Sequence, residues 1–263
     1  MTPIALTIAG SDSGGGAGIQ ADLKTFSALG VYGASVITAL TAQNTKGVSA
    51  IHDVPAQFVA AQMDAVFSDL DVGAVKIGMV SQRGVIETIA AGLERWRQSK
   101  VVLDPVMIAA SGDKLLAADA IETLKRALIP RALVVTPNLP EAAALLDAPI
   151  ARNETEMREQ GERLLALGPR AVLVKGGHGS GAESVDLLIE PSAFVRLAAD
   201  RIATENTHGT GCTLSSAIAA CLARGHALRD AISEGKAYVT AAIREGFQAG
   251  RGVGALRHFV TGW

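Results

Sequence analysis

The feature that most constrains the fold of this chain is an alternation of short apolar runs with longer helical patterns. Runs such as Val101-Val102-Leu103 are apolar throughout, which is typical of strands covered on both faces. Strands that alternate with helices predict βαβ units, and therefore a parallel sheet with helices on both faces. The predicted strands are 4–9, 33–40, 74–77, 101–103, 132–135 and 171–175, and the predicted helices are 16–29, 55–68, 82–97, 117–128, 140–146 and 154–167.

The pattern changes after Lys175. Residues 184–189 and 193–199 are predicted to form an antiparallel pair joined at Glu190-Pro191-Ser192, and two helices at 211–224 and 228–245 follow. We find no linker, charge block, low-complexity tract or internal repeat in the sequence. We therefore expect a single α/β domain over residues 1–263.

Composition and charge exclude several classes of function. Hydrophobic residues make up 49% of the 263 residues, which is too many for an intrinsically disordered chain. The 24 basic and 26 acidic residues nearly cancel, so no electrostatic footprint for nucleic acid or an anionic membrane is present. The longest uncharged stretch, 25–45, mixes polar with apolar residues, unlike a bilayer span. The start of the chain has no basic n-region, so we expect a cytoplasmic protein that acts on small molecules.

Glycine and polar residues follow the predicted strands at the point where each one ends. In α/β sheets, ligands bind outside the carboxyl ends of the strands, so these segments together predict one binding site. The segments are Gly10-Ser11-Asp12-Ser13-Gly14-Gly15-Gly16-Ala17-Gly18, Thr41-Ala42-Gln43-Asn44, Gly78-Met79, Asp104-Pro105, Thr136-Pro137-Asn138-Leu139-Pro140-Glu141 and Gly176-Gly177-His178.

The sharpest local feature is the segment 206–213, Asn-Thr-His-Gly-Thr-Gly-Cys-Thr, which runs directly into an apolar helical pattern. Gly209 and Gly211 allow successive backbone N–H groups to point at one spot, and the helix start adds positive potential there, which predicts an anion site. The alternative is an ordinary loop capped by Thr210. The segment is not a dinucleotide fingerprint, because Leu214 occupies the third glycine position, and the chain contains no Walker A sequence.

Cys212 lies at this predicted helix start, where the helix dipole is expected to lower the pKa of a thiol toward neutrality. The alternative is a small buried residue that packs the first turn. Cys221, nine residues further along the same helix, is expected in the core. The two cysteines would lie on opposite helix faces, about 13 Å apart along the axis, and could not form a disulfide.

Charged residues near the strand ends are further candidates. Lys175 ends an apolar strand, so its ammonium is expected at the same rim as the anion site. Asp104 and Glu141 follow strands and could hold a hydrated Mg²⁺. Asp22 lies within a helical pattern, where a solvated carboxylate is the more common case. The five histidines show no metal-ligand spacing, which disfavours a zinc site.

Seven blocks in order along the chain resemble the bacterial hydroxymethylpyrimidine and phosphomethylpyrimidine kinases of thiamine biosynthesis, which belong to the ribokinase-like superfamily. The resemblance covers essentially the whole chain, and the set of blocks is specific although each one alone is not. The blocks span residues 9–24, 42–45, 76–79, 102–106, 136–142, 175–178 and 206–212.

The resemblance implies a ribokinase-like three-layer α/β/α sandwich with a central, mostly parallel sheet. It implies that ATP phosphates lie over Gly209 to Cys212 and that the chain forms a homodimer. It also implies two successive phosphorylations, which convert 4-amino-5-hydroxymethyl-2-methylpyrimidine to its monophosphate and then to its diphosphate.

The resemblance also assigns roles to individual residues. Gln43 would bind the pyrimidine edge, Asp22 the hydroxymethyl end, and Met79 and Val106 the ring faces. Asp104 and Glu141 would organise Mg²⁺. Other substrate, nucleotide and catalytic roles fall to Gly10, Asn138, Lys175, Thr207, Gly209, Thr210, Gly211 and Cys212.

Cys212 stands where sugar kinases of the wider superfamily have an aspartate base, and this departure points away from sugars. Two roles for Cys212 stay open, as proton acceptor or as a residue that shapes the pocket. A second, minor departure is Asp12-Ser13-Gly14-Gly15-Gly16, where close relatives often have Asp-Pro-Ser-Gly-Gly.

Two alternatives compete with this interpretation. A pyridoxal or pyridoxine kinase of the same subfamily would act on a similar hydroxymethyl group, although Gln43 and Met79 favour the pyrimidine. A non-catalytic sensor would bind such ligands without turning over ATP, but it would not require Lys175, Asp104 and Cys212 together with Glu141.

Overall fold

A computed structural model describes residues 2–107, 118–177 and 181–260 of the chain. Nine strands form one sheet. They are β1 (Ile4–Asp12), β2 (Tyr32–Asn44), β3 (Gly47–Asp53), β4 (Ala74–Ile77), β5 (Val101–Leu103), β6 (Val134–Val135), β7 (Val172–Lys175), β8 (Glu183–Glu190) and β9 (Ala193–Asp200). Ala117, where a helix was expected to begin, and His178 lie outside the described residues.

The strand order across the sheet is β3-β2-β1-β4-β5-β6-β7-β8-β9. The six strands from β2 to β7 in this order pair in parallel, which confirms the predicted, mostly parallel sheet. The expected antiparallel pair near the C-terminus is also confirmed, as β8 and β9.

The sequence did not predict β3, which pairs antiparallel with β2 at one edge of the sheet. Most residues of β3 are exposed, so the strand carries no apolar run that would indicate it. Because β2 continues to Asn44, Thr41 and Gln43 lie within the strand and not in the loop where they were expected.

In the part of the chain that the structure describes, eight α-helices cover the two faces of the sheet. They are α1 (Gly18–Ala28), α2 (Ala56–Phe67), α3 (Arg83–Arg95), α4 (Ala118–Ala127), α5 (Leu139–Leu146), α6 (Glu154–Leu165), α7 (Thr210–Ala223) and α8 (Leu228–Arg244), with a short 3₁₀ helix at Ile129–Arg131. Helices α2 to α6 contribute to one hydrophobic core, and α1, α7 and α8 to the other. Val101 and Leu103 face the first core while Val102 faces the second, as the alternation of side chains along a strand requires.

The predicted helices lie within two residues of the observed ones at each described end. The start of α1 shows why such shifts occur: the N–H groups of Gly16 and Ala17 donate to the Asp12 carboxylate, and the helix begins only at Gly18. Among the described residues, no helix is both long and apolar enough to cross a bilayer.

Candidate active site

A cavity of about 610 Å³ opens at the carboxyl ends of the parallel strands. The structure brings nearly all of the sequence-predicted site residues to its lining. They are Gly10, Gln43, Met79, Asp104, Val106, Asn138, Glu141, Lys175, Thr207, Gly209, Thr210, Gly211 and Cys212. Asp22 is the exception, because its side chain is buried and does not line the cavity.

Lys175 is at the centre of a charged cluster in this cavity. Its Nζ atom lies 2.7 Å from Asp104 Oδ1 and 3.8 Å from Glu141 Oε2. The Asp104 carboxylate also accepts hydrogen bonds from the hydroxyls of Thr136, at 3.1 Å, and Ser215, at 3.3 Å. Residues from β5, α5, β7 and α7 therefore meet at one point, as the carboxyl ends of neighbouring parallel strands should.

The charges in this cluster perturb one another. Burial alone would lower the pKa of Lys175, but the carboxylates of Asp104 and Glu141 raise it. Burial alone would raise the pKa of Asp104, and the charge of Lys175 lowers it. Burial raises the pKa of Glu141 to about 7, because Lys175 offsets only part of the cost and Asp104 adds a like charge.

The residues of this cluster fit a divalent metal ion. Asp104 and Glu141 both line the cavity, and carboxylate oxygens are the ligands that Mg²⁺ prefers. Burial is the main reason why the pKa of Glu141 is raised, and the nearby charge of Asp104 adds to it, so a cation bound here would be favoured. Glu141 is fixed at the start of α5 by a capping box: Oε2 accepts the Asn138 N–H, and Asn138 Oδ1 accepts the Glu141 N–H.

The start of α7 has the geometry of an anion site. Gly209 occupies the N-cap in the left-handed region, with φ of 86°, and no side chain caps the helix. A Cβ atom on Gly209 would collide with the carbonyl oxygen of Gly16, so only glycine fits this turn. A Cβ atom on Gly211 would lie 3.2 Å from Lys175 Nζ. The first turn of α7 thus lies close to the Lys175 ammonium, and the missing side chain of Gly211 permits this approach.

Cys212 lies in the first turn of α7 and lines the cavity, as expected. The expectation that the helix start lowers the pKa of its thiol is wrong. Burial raises the pKa to about 11, although the charge of Lys76 and a hydrogen bond from the Gly18 N–H act in the opposite direction. Desolvation of the sulfur therefore outweighs both of these contributions, and the resting side chain is a thiol.

Asp22 is ion-paired with Lys76, and both side chains are fully buried. Lys76 Nζ lies 2.9 Å from Oδ1 and 2.8 Å from Oδ2 of Asp22. The hydroxyls of Thr7 and Ser216 each donate to the same carboxylate at 2.6 Å. The expected direct contact between Asp22 and a substrate hydroxymethyl group does not fit this geometry, whereas Lys76 does line the cavity.

Sequence reasoning missed a second organising group, formed by Asp12 and His208. Asp12 accepts hydrogen bonds from the N–H groups of Gly14, Gly16 and Ala17, and its Oδ2 lies 3.0 Å from His208 Nε2. Burial alone would raise the pKa of Asp12, but these hydrogen bonds lower it. The carboxylate thus joins the glycine-rich loop to the loop before α7.

Gln43, Met79 and Val106 line the cavity, as expected for residues around a small ring. The Thr41 hydroxyl donates to the Ser11 carbonyl at 2.7 Å, and its oxygen lies 3.1 Å from Gln43 Oε1. Met79 is nearly buried, and its carbonyl accepts a hydrogen bond from Thr38. These contacts leave the Gln43 amide positioned to donate hydrogen bonds to a ligand.

The part of the cavity formed by the C-terminal helices and β8–β9 combines apolar side chains with a buried ion pair. Ile202, Val239 and Ile243 line it. Lys236 Nζ lies 2.8 Å from Asp186 Oδ2 and donates to the Ser184 carbonyl at 2.9 Å. Sequence reasoning missed this pair; an isolated lysine within an amphipathic helix pattern gives little indication of burial.

Comparisons with known proteins agree with one another. A sequence model of the family described as "Phosphomethylpyrimidine kinase" matches residues 12–257. A protein of Rhizobium meliloti (strain 1021) named hydroxymethylpyrimidine/phosphomethylpyrimidine kinase is 61% identical over 265 residues, which covers 100% of this chain and 99% of that protein.

Two crystal structures extend the likeness to the fold. The phosphomethylpyrimidine kinase of Clostridium difficile 630 superposes with a TM-score of 0.81 at 48% identity, over 92% of this chain and 99% of that one. An ADP complex of Bacillus subtilis pyridoxal kinase superposes with a TM-score of 0.93 at 35% identity, over 99% of this chain and 98% of that one. The ribokinase-like architecture implied by the sequence is thereby confirmed.

Proposed function

This chain belongs to the phosphomethylpyrimidine kinase family, and from that premise we propose how its cavity carries out phosphoryl transfer. The chain is a hydroxymethylpyrimidine/phosphomethylpyrimidine kinase of thiamine biosynthesis. One observation carries the assignment of roles: a single cavity joins ring-binding residues at β2 and β4 to an anion-binding helix start, with Lys175 between them. The site residues below are proposals that rest on this geometry.

ATP is placed with its phosphates over the first turn of α7. The backbone N–H groups of Thr210, Gly211 and Cys212 and the helix dipole favour negative charge at this point. Lys175 neutralises charge on the transferred group, while Asn138 and Thr207 flank the phosphates. The apolar surface of Ile202, Val239 and Ile243 accepts the base.

Asp104 and Glu141 would hold Mg²⁺. When bound, the ion supplies positive charge that offsets the phosphate oxygens in the transition state. Asp104 keeps its ion pair with Lys175, so the same carboxylate orients both cations. Glu141 stays fixed by the α5 capping box, and the oxygen that accepts the Asn138 N–H, Oε2, is also the one that lies 3.8 Å from Lys175 Nζ.

The pyrimidine lies between Met79 and Val106, with its edge on Gln43. A side-chain amide both donates and accepts hydrogen bonds, which suits an aminopyrimidine with both functions. The backbone of Gly10 approaches the ring from below. Asp22 acts one step away from the substrate, as a positioning residue that holds the Lys76 ammonium at the base of the cavity.

Cys212 is proposed as the proton acceptor for the substrate hydroxyl. Because burial keeps its pKa near 11, only a small ionised fraction is present at neutral pH. A loose, metaphosphate-like transition state does not need an ionised nucleophile at the outset, so the proton leaves late. The ionised fraction of the Cys212 thiol then limits turnover, so kcat is expected to rise with pH.

The remaining parts of the proposal concern the whole protein. One continuous sheet from β3 to β9 supports a single domain over the chain. Exposed apolar side chains at Leu40, Ile51 and Phe58 near the β2–β3 edge support a homodimer. The pathway, whose substrates are small and soluble, supports a cytoplasmic location.

The direct test is to incubate the protein with 4-amino-5-hydroxymethyl-2-methylpyrimidine and Mg·ATP and to follow products by mass spectrometry. We expect the monophosphate to appear first and the diphosphate to follow. Ligand binding without ATP consumption would indicate a sensor instead. Monophosphate that is never converted further would limit the activity to the first step.

Pyridoxal is the second candidate substrate, because the Bacillus subtilis pyridoxal kinase superposes so closely. We expect kcat/KM to favour the pyrimidine, since the Gln43 amide lines the cavity and can both donate to and accept from an aminopyrimidine edge. Measuring kcat/KM for both substrates under one condition decides the order. A clear preference for pyridoxal would overturn the proposed substrate.

A further inference from the structure

Three metal-ligating side chains meet at the end of α7 that is remote from the active site. Cys221 lies near the C-terminus of α7, His226 in the turn that follows, and Glu234 on α8. One ligand atom from each lies within 4.8 Å of the other two. None of the three lines the active-site cavity. We propose that Cys221, His226 and Glu234 form a zinc-binding site that ties α7 to α8.

The local backbone places the first two ligands together. Helix α7 closes with hydrogen bonds from the Gly225 N–H to Leu222 O and from the His226 N–H to Cys221 O, both at 3.1 Å. This pairing is the usual way for a helix to end at a left-handed glycine, and Gly225 has φ of 92°. The turn therefore fixes His226 beside the last turn of α7, whatever metal is present.

The side chains complete the arrangement. His226 Nδ1 lies 3.0 Å from Glu234 Oε2, and the Cys221 thiol hydrogen-bonds to the same carboxyl group. Arg224 pairs with the other oxygen, Oε1, at 2.9 Å, so one carboxylate oxygen stays on the side of the sulfur and the imidazole. Cys221 is fully buried, while His226 and Glu234 are 29% and 27% exposed, which leaves a path from solvent.

The donor set selects the kind of ion. Thiolate sulfur, imidazole nitrogen and carboxylate oxygen are the three ligand types of Zn²⁺, whereas Mg²⁺ and Ca²⁺ prefer oxygen alone. Tetrahedral zinc with ordinary bond lengths separates its ligand atoms by roughly 3.3 to 3.6 Å. The present separations, all within 4.8 Å, require side-chain shifts of about 1 Å, with water as the fourth ligand.

Binding balances in protons as follows. The Cys221 thiol loses its proton to solvent, and the imidazole proton of His226 moves to Nε2 so that Nδ1 can coordinate. The thiolate and the carboxylate together neutralise the ion. The histidine spacing along the sequence gave no sign of such a site, because Glu234 comes from the next helix and only the fold brings it to Cys221.

The test uses the intact protein and Co²⁺ as a spectroscopic probe of zinc sites, with excess Mg²⁺ present. A thiolate bound to Co²⁺ gives a near-ultraviolet charge-transfer band. We expect this band at one equivalent of Co²⁺ and its displacement by one equivalent of Zn²⁺. Because the chain has only two cysteines, the matched variants are Cys221→Ser, which should lose the band, and Cys212→Ser, which should keep it.

His226→Gln provides a second variant that does not disturb the core, because His226 lies partly exposed in a turn. We expect it to weaken the apparent affinity for Co²⁺ about tenfold or more. The kinase activity of Cys221→Ser and His226→Gln without added zinc should equal that of the unaltered protein. Absence of the band at saturating Co²⁺, or a band that depends on Cys212 and not on Cys221, would overturn the proposal.

Discussion

Two of the buried lysine–aspartate pairs lie under the same cavity and differ in one respect. In the first, Lys76 of β4 and Asp22 of α1 are both fully buried, and the carboxylate also accepts hydrogen bonds from Thr7 and Ser216. In the second, Lys175 of β7 is 11% exposed and faces the cavity between Asp104 and a further carboxylate, Glu141.

The difference indicates that the Asp22–Lys76 pair stabilises the fold, whereas the Asp104–Lys175 pair is available to act on a ligand. A buried charge is tolerated when its hydrogen bonds are complete, and removing its partner is then costly. The Asp22 carboxylate meets that condition, because Lys76, Thr7 and Ser216 all donate to it within the protein. The Lys175 cluster contains two carboxylates for one ammonium, so it can accept another charged group without losing a partner.

Breaking the Asp22–Lys76 pair should have the largest effect on stability. In Asp22→Ala, the ammonium of Lys76 stays buried without its main partner, so we expect the free energy of unfolding to fall by about 3 to 5 kcal/mol. Urea denaturation followed by circular dichroism measures this. The double variant Asp22→Leu with Lys76→Met should recover most of the loss, because both charges are removed. A loss below about 1 kcal/mol in Asp22→Ala would mean that the buried Lys76 ammonium does not depend on Asp22 as its main partner.

The thiol of Cys212 lies close enough to Lys76 and Lys175 to interact with their charges. Substitution of Cys212 is expected to have the next largest effect, which is on turnover. Cys212→Ala should lower kcat about 10³-fold while ADP affinity stays unchanged, since positioned proton acceptors contribute on this scale. With a thiol pKa of about 11, kcat of the unaltered protein should rise with pH up to that value, nearly tenfold per unit. Stopped-assay kinetics from pH 7 to 9 test the slope. A flat profile together with near-normal turnover of the variant would leave Cys212 with a pocket-shaping role.

Breaking the Lys175–Asp104 pair should affect the rate of phosphoryl transfer more than the stability of the fold. Lys175→Met removes the ammonium that faces the transferred group, and we expect kcat/KM to fall about 10²-fold. The free energy of unfolding should fall by less than in Asp22→Ala, because Asp104 still accepts hydrogen bonds from the hydroxyls of Thr136 and Ser215 after the ammonium is removed. Steady-state kinetics and urea denaturation of one preparation give both values. A stability loss as large as that of Asp22→Ala would erase the distinction between the pairs.

The smallest effect concerns Glu141 and pH. Its pKa near 7 in the protein without metal means that a proton occupies the carboxylate below pH 7 and must leave before Mg²⁺ binds. We therefore expect the apparent KM for Mg²⁺ to rise as pH falls from 7 to 5.5, by at most about tenfold per unit. Glu141→Gln should bind Mg²⁺ more weakly at every pH and lose this dependence. An unchanged KM across the range would remove Glu141 from the metal site.

Much of this fold could be predicted from the sequence, because a parallel sheet needs continuous apolar strands and these are visible as short runs. Val101–Leu103 and Ala74–Ile77 were predicted with their observed bounds. The edge strand β3 could not be predicted, since its exposed residues need no apolar pattern. Local signals thus indicate elements that are buried and miss those that are not.

The site residues divide along a similar line. Three site residues could be placed from elements that the pattern predicts: Lys175 ends a strand, Asp104 follows one and Gly209 precedes a helix. The burial of Asp22 could not, because its partner Lys76 is 54 residues away. The raised pKa of Cys212 also depends on desolvation by distant segments, whereas the helix dipole that suggested the opposite is a local property.

The hydrogen bond between Asp12 and His208 can form only late in the synthesis of the chain. These residues are 196 positions apart, so the contact between the glycine-rich loop and the loop before α7 forms only when both are present. At about 5 to 20 residues per second, the ribosome adds His208 roughly 10 to 40 s after Asp12. Until then the chain also lacks Gly209 and the start of α7, so the proposed phosphate site is incomplete. Ligand-dependent protection from proteolysis should therefore begin only with nearly finished chains.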